Sequence, residues 1–555
     1  MIQKIITYIL LIVLTLVFTK FSYSQEEQLA KEVQVVKPYE PTISDAFKIN
    51  RLPRITDTLK LVPKVKYSLQ TKQLNLGYSI EPIKPAKMVG EPLVELYNSY
   101  VTVGIGTKVL PVIEAYVNNL RSKEYSYGAY YKHMSSFAKI TLDDDIRQDA
   151  GFHDNDLRFF GKKFIKNTII FADMGLKSNT MYHYGYDTSV DTILLKDNIK
   201  QNFLLLDLNA NYKTNYIDST HVNYDFGFSL DYLKDNFENH ELAFKINGDI
   251  NKIFTSEMIG VNFSIEHYSV NETIDSSNNT VVKINPWVGK FGEKFRVKAG
   301  LNIFSDNRGD FSNTYYFPTG SLEYNIVNNI IIPYAGVDGK LEINNYQSTT
   351  TINPFITPGL GLKNTDYKII LFAGLKGNFS SSIFYNFKAT YSLIDNMPFF
   401  VNNLEQTDSI GNQFNVVYDN IQLISYFGEL SVAASEKLNF HIMANYRDYK
   451  MDKEEKAWHK PTFDLTFAAR YNIKNKIIVK ADLFAIGKRY AKIDDTGNFN
   501  ELESVIDINI GAEYRYSKIL SGFIQINNLL SEKYYTWNYY PAYGLNILLG
   551  ITYSF

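Results

Sequence analysis

The 555-residue chain contains no cysteine. Disulfide scaffolds, thiolate metal sites, cysteine nucleophiles and a lipidated N-terminal cysteine are therefore excluded. Net charge is almost absent too, with 57 Lys and Arg against 59 Asp and Glu. Phosphate neutralisation needs a basic excess, so no nucleic-acid partner is expected. Long apolar runs are missing beyond residue 25: Phe203-Leu204-Leu205-Leu206 and Ile330-Ile331-Ile332 are among the longest. Both fall far short of the ~20 residues of a helical membrane span. Any membrane crossing after residue 25 has to be made by strands.

Motifs of catalysis are equally scarce. The eight histidines, at 133, 153, 183, 221, 240, 267, 441 and 459, include no H-E-x-x-H, and the chain has no G-x-S-x-G elbow and no Walker A loop. His267 and His441 read as rim or lumen histidines without chemistry. Asp143-Asp144-Asp145 and Asp494-Asp495 could offer carboxylates to calcium, but their spacing fits no EF-hand and they read as solvated loop charges. No enzyme, cofactor or metal site is expected.

The chain opens with Lys4, an apolar run from Ile5 to Phe18, and Ser22-Tyr23-Ser24 before Gln25. That order of charged, apolar and small residues predicts a secretory signal peptide over residues 1–24. Residues 25–98 hold 7 of the 16 prolines and no sustained periodicity. Such proline density favours extended backbone, so this region is expected to be a periplasmic or lumen segment without its own core. Its β-prone stretch is Val33, Val35 and Val36, followed by Lys37, Pro38, Tyr39, Glu40 and Pro41. These residues could add to the edge of a partner's sheet or serve simply as linker.

From residue 99 to 555 the pattern has a period of two. Tyr224, Phe226, Phe228, Leu230 and Tyr232 alternate with Asp225, Gly227, Ser229 and Asp231, and Val261, Phe263 and Ile265 with Asn262, Ser264 and Glu266. Phe463 to Tyr471 alternates with Asp464 and Arg470 on the polar side, and Ile506 to Tyr516 with Asp507, Glu513 and Arg515. The dyads run for the ~9 to 11 residues that cross a tilted hydrocarbon span, with Tyr or Phe at their ends as an aromatic girdle. Backbone groups in lipid must all pair, so such strands have to close. The predicted fold is an all-β transmembrane antiparallel barrel of 20 to 24 strands, best taken as 22 because single-chain barrels favour even numbers. Candidate strands start near Tyr315, Ile331, Phe355 and Ile369, and near Gln413 and Tyr426, among others. Asp225, Asp231, Glu266, Asp464, Arg470, Asp507, Glu513 and Arg515 are expected to face the lumen. Mixed charges there suit a hydrated passage or a salt-bridged filling. A lumen this wide cannot be filled by wall side chains, so either something else obstructs it or it leaks.

The C-terminal stretch Asn528-Leu529-Leu530-Ser531-Glu532-Lys533-Tyr534-Tyr535, with Trp537, Tyr540-Pro541-Ala542-Tyr543-Gly544 and Gly550 to Phe555, resembles the closing hairpin of TonB-dependent receptor barrels. The resemblance implies that Tyr553 and the final Phe555 are read by the outer-membrane barrel assembly machinery. Val35 to Ala46 resembles plugless receptor-like barrels of Bacteroidota, and Val33 to Val36 is similar to an energy-coupling box. A full receptor carries a plug of well over a hundred residues, and the 74 residues from 25 to 98 are too few for one. The resemblance implies a Gram-negative outer-membrane, lipid-embedded receptor-like channel or transporter for an unspecified solute. The alternative is a non-transporting scaffold that holds a periplasmic or lipoprotein partner through residues 25–98.

Overall fold

In the computed structural model the described residues are 97–555, apart from 110, 121, 190–193, 276, 404–410 and 494–496. The expected signal peptide and the segment Val33 to Pro41 lie outside them. The wall begins with β1 (Ser99–Gly106), β2 (Val112–Asn118), β3 (Tyr125–Ser136), β4 (Phe152–Ile165), β5 (Thr168–Tyr182) and β6 (Lys200–Thr214). It continues with β7 (Val222–Asp235), β8 (His240–Ile253), β9 (Glu257–Val270), β10 (Asn279–Phe291), β11 (Phe295–Arg308) and β12 (Phe311–Tyr324). Next come β13 (Ile332–Glu342), β14 (Thr365–Ser380), β15 (Ile383–Asn402), β16 (Phe414–Ser435) and β17 (Leu438–Met451). The last are β18 (Phe463–Ile473), β19 (Ile477–Ile486), β20 (Val505–Arg515), β21 (Leu520–Asn527) and β22 (Asn546–Ser554).

These 22 strands form one sheet in which each strand runs antiparallel to its neighbours. β22 returns to β1, with Tyr100 opposite Ser554 and Val103 opposite Ile551. The Ser99 amide donates to the Phe555 carbonyl at 3.0 Å and the Phe555 amide to the Ser99 carbonyl at 2.9 Å. The sheet is thus a closed barrel, the arrangement that removes sheet edges from lipid. Alternation decides which residues line each face. Leu204, Phe228, Val288, Phe387, Leu549 and Ile551 stand exposed on the outer face. Strands about 4.8 Å apart and tilted by roughly 40° place opposite walls of such a barrel on the order of 40 Å apart.

The two ends differ. At the end that carries residues 99 and 555, the strand connections run from two residues (381–382) to seven (215–221). At the other end the longest, 343–364, has 22 residues. Wall height also varies: β1, β2, β21 and β22 have 8, 7, 8 and 9 residues, whereas β15 and β16 have 20 and 22. β16 contains both Gln413's neighbour Phe414 and Tyr426, so the two strands expected there are one strand that rises beyond the apolar band. The strand expected at Phe355 is instead part of the 343–364 connection. Its apolar residues pack among loops rather than in the wall. The connection also holds the one α-helix among the described residues, α1 (Tyr346–Ile352), a seven-residue element that period-two patterning does not disclose.

Candidate functional site

The long connections meet one another over the barrel mouth. Loops 183–199, 343–364 and 528–545 follow β5, β13 and β21, so going around the wall they stand eight, eight and six strands apart. Each contributes one aromatic ring to a common point. The Phe355 and Tyr540 rings stack with centroids 3.9 Å apart, and the Tyr184 ring meets that of Tyr540 edge-on at 4.9 Å. Tyr184 and Phe355 are 6.2 Å apart. Chains rooted at nearly equal intervals around a ring roughly 40 Å wide can touch only by crossing the opening. These three side chains are therefore the keystone of a cap.

Around them lies a buried apolar cluster of Phe203, Leu233, Ile274, Tyr346, Ile356, Leu360, Leu362, Phe400, Phe414 and Tyr540. Each loop is tied to the rim by polar contacts. α1 is capped at Asn345, whose side chain accepts from the Ser348 amide at 3.0 Å while Ser348 Oγ accepts from the Asn345 amide at 3.0 Å. The Glu241 carboxylate of β8 receives the Tyr346 amide at 2.7 Å, the Gln347 amide at 3.2 Å and Asn345 Nδ2 at 2.9 Å. A carboxylate at the helix N-terminus satisfies orphan donors and the dipole together. On the other flank, Asp275 accepts from Arg308 Nη1 at 3.2 Å and from the Leu362 amide at 3.0 Å.

Loop 528–545 is the most heavily bonded. Its short hairpin pairs Tyr535–Trp537 with Tyr540–Pro541, and Tyr539 at the tip adopts a left-handed φ of 65°. Such backbone is strained for a bulky residue and persists where surroundings fix it. Here Gly185 lies against the Tyr539 carbonyl so closely that a Cβ would come within 2.4 Å of it. Arg489 donates to the carbonyls of Thr536, at 2.8 Å, and Tyr535. Tyr184 donates to the Pro541 carbonyl at 2.9 Å, Tyr540 to the Asn412 carbonyl, and Asn538 Nδ2 to Asn402 Oδ1 at 2.8 Å. At the loop's outer side Asp143 accepts from Tyr535 at 2.7 Å and Lys533 at 3.0 Å. Burial would raise the Asp143 carboxyl, but these two donors outweigh it and hold it below its ordinary range.

Two histidines are sealed inside the cap. His459 donates from Nδ1 to the Phe400 carbonyl at 2.9 Å, and its Nε2 accepts the Asn538 amide at 3.3 Å. Those partners suit the neutral ring; burial, with Arg489 and Lys460 nearby, pushes its pKa down to about 3. Neither ring nitrogen of His183 has a hydrogen-bond partner, and burial pushes its pKa down to about 4.

Below the cap, the charged residues anticipated from the sequence stand on the face opposite the apolar band and bond mostly to near neighbours. Asp225 accepts from Lys213 and Asn211, both at 2.7 Å, and Asp231 from Lys245 at 3.0 Å. Glu266 accepts from the Tyr268 hydroxyl at 2.7 Å, and Asp464 from Arg447 at 2.6 Å. Asp507 accepts from Tyr534 at 2.9 Å, Arg515 donates to Glu513 at 3.3 Å, and Arg470 stands across from Lys480 and Asn439. One enclosed cluster was not anticipated: Arg158 bridges Asp173 and Asp207, whose side chains are 7% and 8% exposed. Arg158→Ala strands two buried carboxylates and is expected to cost about 3–5 kcal/mol, read as a lower urea midpoint of the refolded barrel.

Tyr553 and Phe555 stack at 5.8 Å on the exposed outer face at the end of β22. Asp143 is engaged as described, and Asp494 and Asp495 lie outside the described residues. Among the described residues no group of His, Asp and Glu is arranged to hold a metal ion. Sequence reading missed Tyr184, Phe355, Tyr540, Asn538, Asn402, Arg489 and His459. The available signal was aromatic density beyond the wall strands, at His183-Tyr184 and Trp537 to Tyr540, where a girdle does not require it.

No family and no curated relative matches the sequence. Solved structures do. The FrpB iron transporter from Neisseria meningitidis superposes with a TM-score of 0.66 at 11% identity, over 83% of this chain and 82% of that one. The ferric-catecholate import receptor Fiu from Escherichia coli K12 gives 0.62 at 10% identity, over 83% and 82%. The pyoverdine outer membrane receptor FpvA from Pseudomonas aeruginosa, bound to pyoverdine, gives 0.60 at 10% identity, over 83% and 79%. The chain thus shares the 22-strand barrel fold of these receptors.

Proposed function

We propose that the protein is an outer-membrane receptor-like channel whose mouth is gated by its own loops. The ends bearing residues 99 and 555 face the periplasm, as the short turns suggest, and the cap faces outward. Residues 1–24 direct export, and Tyr553 and Phe555 present the barrel to the assembly machinery. The observation that carries the reading is the meeting of Tyr184, Phe355 and Tyr540 over the opening. A cap whose loops converge on one aromatic junction, over a wall secured separately by its own strand pairing, is suited to opening. The inward charges, Asp225, Asp231, Glu266, Asp464, Arg470, Asp507, Glu513 and Arg515, would then border a hydrated path for a solute. The second reading, a scaffold holding a partner through Val33, Val35, Val36, Lys37, Pro38, Tyr39, Glu40 and Pro41, rests on the β-prone sequence of that segment.

Planar-bilayer conductance of the refolded protein separates the two. The intact chain is expected to be nearly silent, and current is expected once the cap is loosened by Phe355→Ala and residues 25–98 are deleted together. Silence from that double variant, with the barrel still folded, would refute a channel and leave the scaffold.

A further inference from the structure

The wall is lowest where it closes. β21, β22, β1 and β2 have 8, 9, 8 and 7 residues. At about 3.4 Å per residue and a tilt of roughly 40°, such strands rise on the order of 20 Å, short of the ~25 Å apolar band of outer-membrane barrels. A wall that is too low thins the bilayer and draws the headgroup layer toward it. In this stretch the outer face carries an open groove of about 630 Å³, lined by Val103, Tyr514, Gly522, Ile524, Leu549 and Ile551 among others. Gly522 makes its floor. It stands directly opposite Tyr514 and Ile551 and so shares their outward face. A Cβ placed on it would meet the Gly550 carbonyl oxygen at 3.7 Å, an ordinary contact, and nothing closer. The packing does not require glycine at this position, so the groove is room left open.

Three lysines stand at the periplasmic end of the groove. Turn 474–476 carries Lys474 and Lys476, and turn 516–519 carries Lys518, all of them exposed. The Lys476 carbonyl accepts from the Arg515 amide at 2.8 Å, which sets the two turns side by side. Ile477 and Tyr514, paired across β19 and β20, lead from them into the groove. None of the three lysines has a carboxylate partner among the described residues. Neither turn contains an acid, whereas Glu124, Glu293 and Glu436 accompany the lysines of three other turns at this end. Tyr516, Tyr553 and Phe555 stand exposed at the same end, where rings sit among lipid headgroups.

We propose that this groove seats an acyl chain of one phospholipid of the periplasmic leaflet, and that Lys474, Lys476 and Lys518 hold its phosphate and favour a headgroup of net negative charge. Water is excluded as the occupant because this face of the wall lies in hydrocarbon. Residues 25–98 are excluded by the same physics. The groove lies on the face of strands paired on both sides, so it offers no backbone partner, and an extended chain in lipid would leave its own amides and carbonyls unpaired. An acyl chain has no polar group to satisfy, and the lysines stand at the depth of its phosphate, where each adds attraction to an anionic lipid. The inference rests on the outer-membrane placement proposed above and is independent of channel activity.

Native mass spectrometry of the refolded full chain in detergent, with dioleoylphosphatidylglycerol or dioleoylphosphatidylethanolamine added, tests it. One retained phosphatidylglycerol per barrel is expected, at an occupancy about tenfold above that of phosphatidylethanolamine. Replacing Lys474, Lys476 and Lys518 together by Gln is expected to remove the preference, whereas Lys166→Gln, in the turn 166–167, leaves it. Gly522→Leu fills the groove and keeps the lysines; it is expected to lower retention of both lipids about tenfold, with the heat-dependent gel shift of the barrel unchanged. Equal binding of the two lipids by the unaltered chain, or undiminished retention after Gly522→Leu, would overturn the inference. So would dimer peaks in place of lipid adducts, which would assign the groove to a second copy. A folded chain that fails to insert into liposomes would overturn the membrane placement and the lipid seat with it, whereas lipid retained by a barrel silent in bilayer recordings would support the seat and refute only the channel.

Discussion

Tyr540→Ala is expected to release the cap while the barrel stays closed. The side chain is fully buried, stacks on Phe355, meets Tyr184 and Phe414 at 4.9 and 6.0 Å, and donates to the Asn412 carbonyl. Truncating such a ring removes its transfer free energy and leaves a cavity, a loss of roughly 3–5 kcal/mol. Ordered loops generally open at well below the global stability of their protein, so a loss of this size is expected to exceed what holds loop 528–545 in place. The barrel is indifferent because its wall is secured by strand pairing, not by loops. The measurement is limited proteolysis of the refolded protein: cleavage within 528–545 and 183–199 should accelerate by more than tenfold, with the heat-dependent gel shift of the barrel unchanged. Tyr540→Phe keeps the ring and loses one hydrogen bond, about 1 kcal/mol, and should leave proteolysis near the wild-type rate. Equal resistance in all three proteins would show that the loops are held from the rim and not from the keystone.

The contrast between wall and cap explains what the sequence could disclose. Wall strands such as β7 obey a local rule, since residue 226 lies outward because residue 225 lies inward, and closure follows from the absence of water in lipid. Strand number was therefore legible, and the apolar dyads around Phe228 and Ile508 marked their strands directly. The cap obeys no period. Tyr184, Phe355 and Tyr540 are brought together by loops separated by 171 and 185 residues, and no alternation links them. The 528–545 stretch was readable as the connection of the closing strands, but its role over the mouth depends on Asn402 at the end of β15 and on Arg489 and His459, which lie on other loops. Phe355 was misread as a wall residue because an apolar residue in a β-rich chain looks alike whether lipid or another loop covers it. The inward charges could be placed on a face by alternation, whereas the Arg158 bridge between Asp173 and Asp207 required knowing which strands are neighbours.

Acid is expected to open the same cap. His183 and His459 are neutral and enclosed, with pKa values pushed down by burial to about 4 and about 3, against roughly 6.5 in an open loop. For a group whose folded pKa is depressed, the full stabilisation is present above 6.5 and is lost as pH falls toward the folded value, because only the opened state takes the proton. At pH 5 each histidine is expected to withdraw roughly 2 kcal/mol from the closed cap. At His459 the proton would land on Nε2, which accepts the Asn538 amide, turning a hydrogen bond into two opposed donors beside Arg489 and Lys460. Two of the three tryptophans, Trp458 and Trp537, lie in the cap loops, so emission should shift to the red between pH 6.5 and 4 and return on neutralisation. His459→Gln can keep an acceptor without titrating, and with His183→Phe it should flatten that transition. A shift that persists unchanged in this pair of substitutions would place the acid-sensitive group elsewhere, and a cap that stays shut at pH 4 would mean its contacts exceed what two buried protons can oppose.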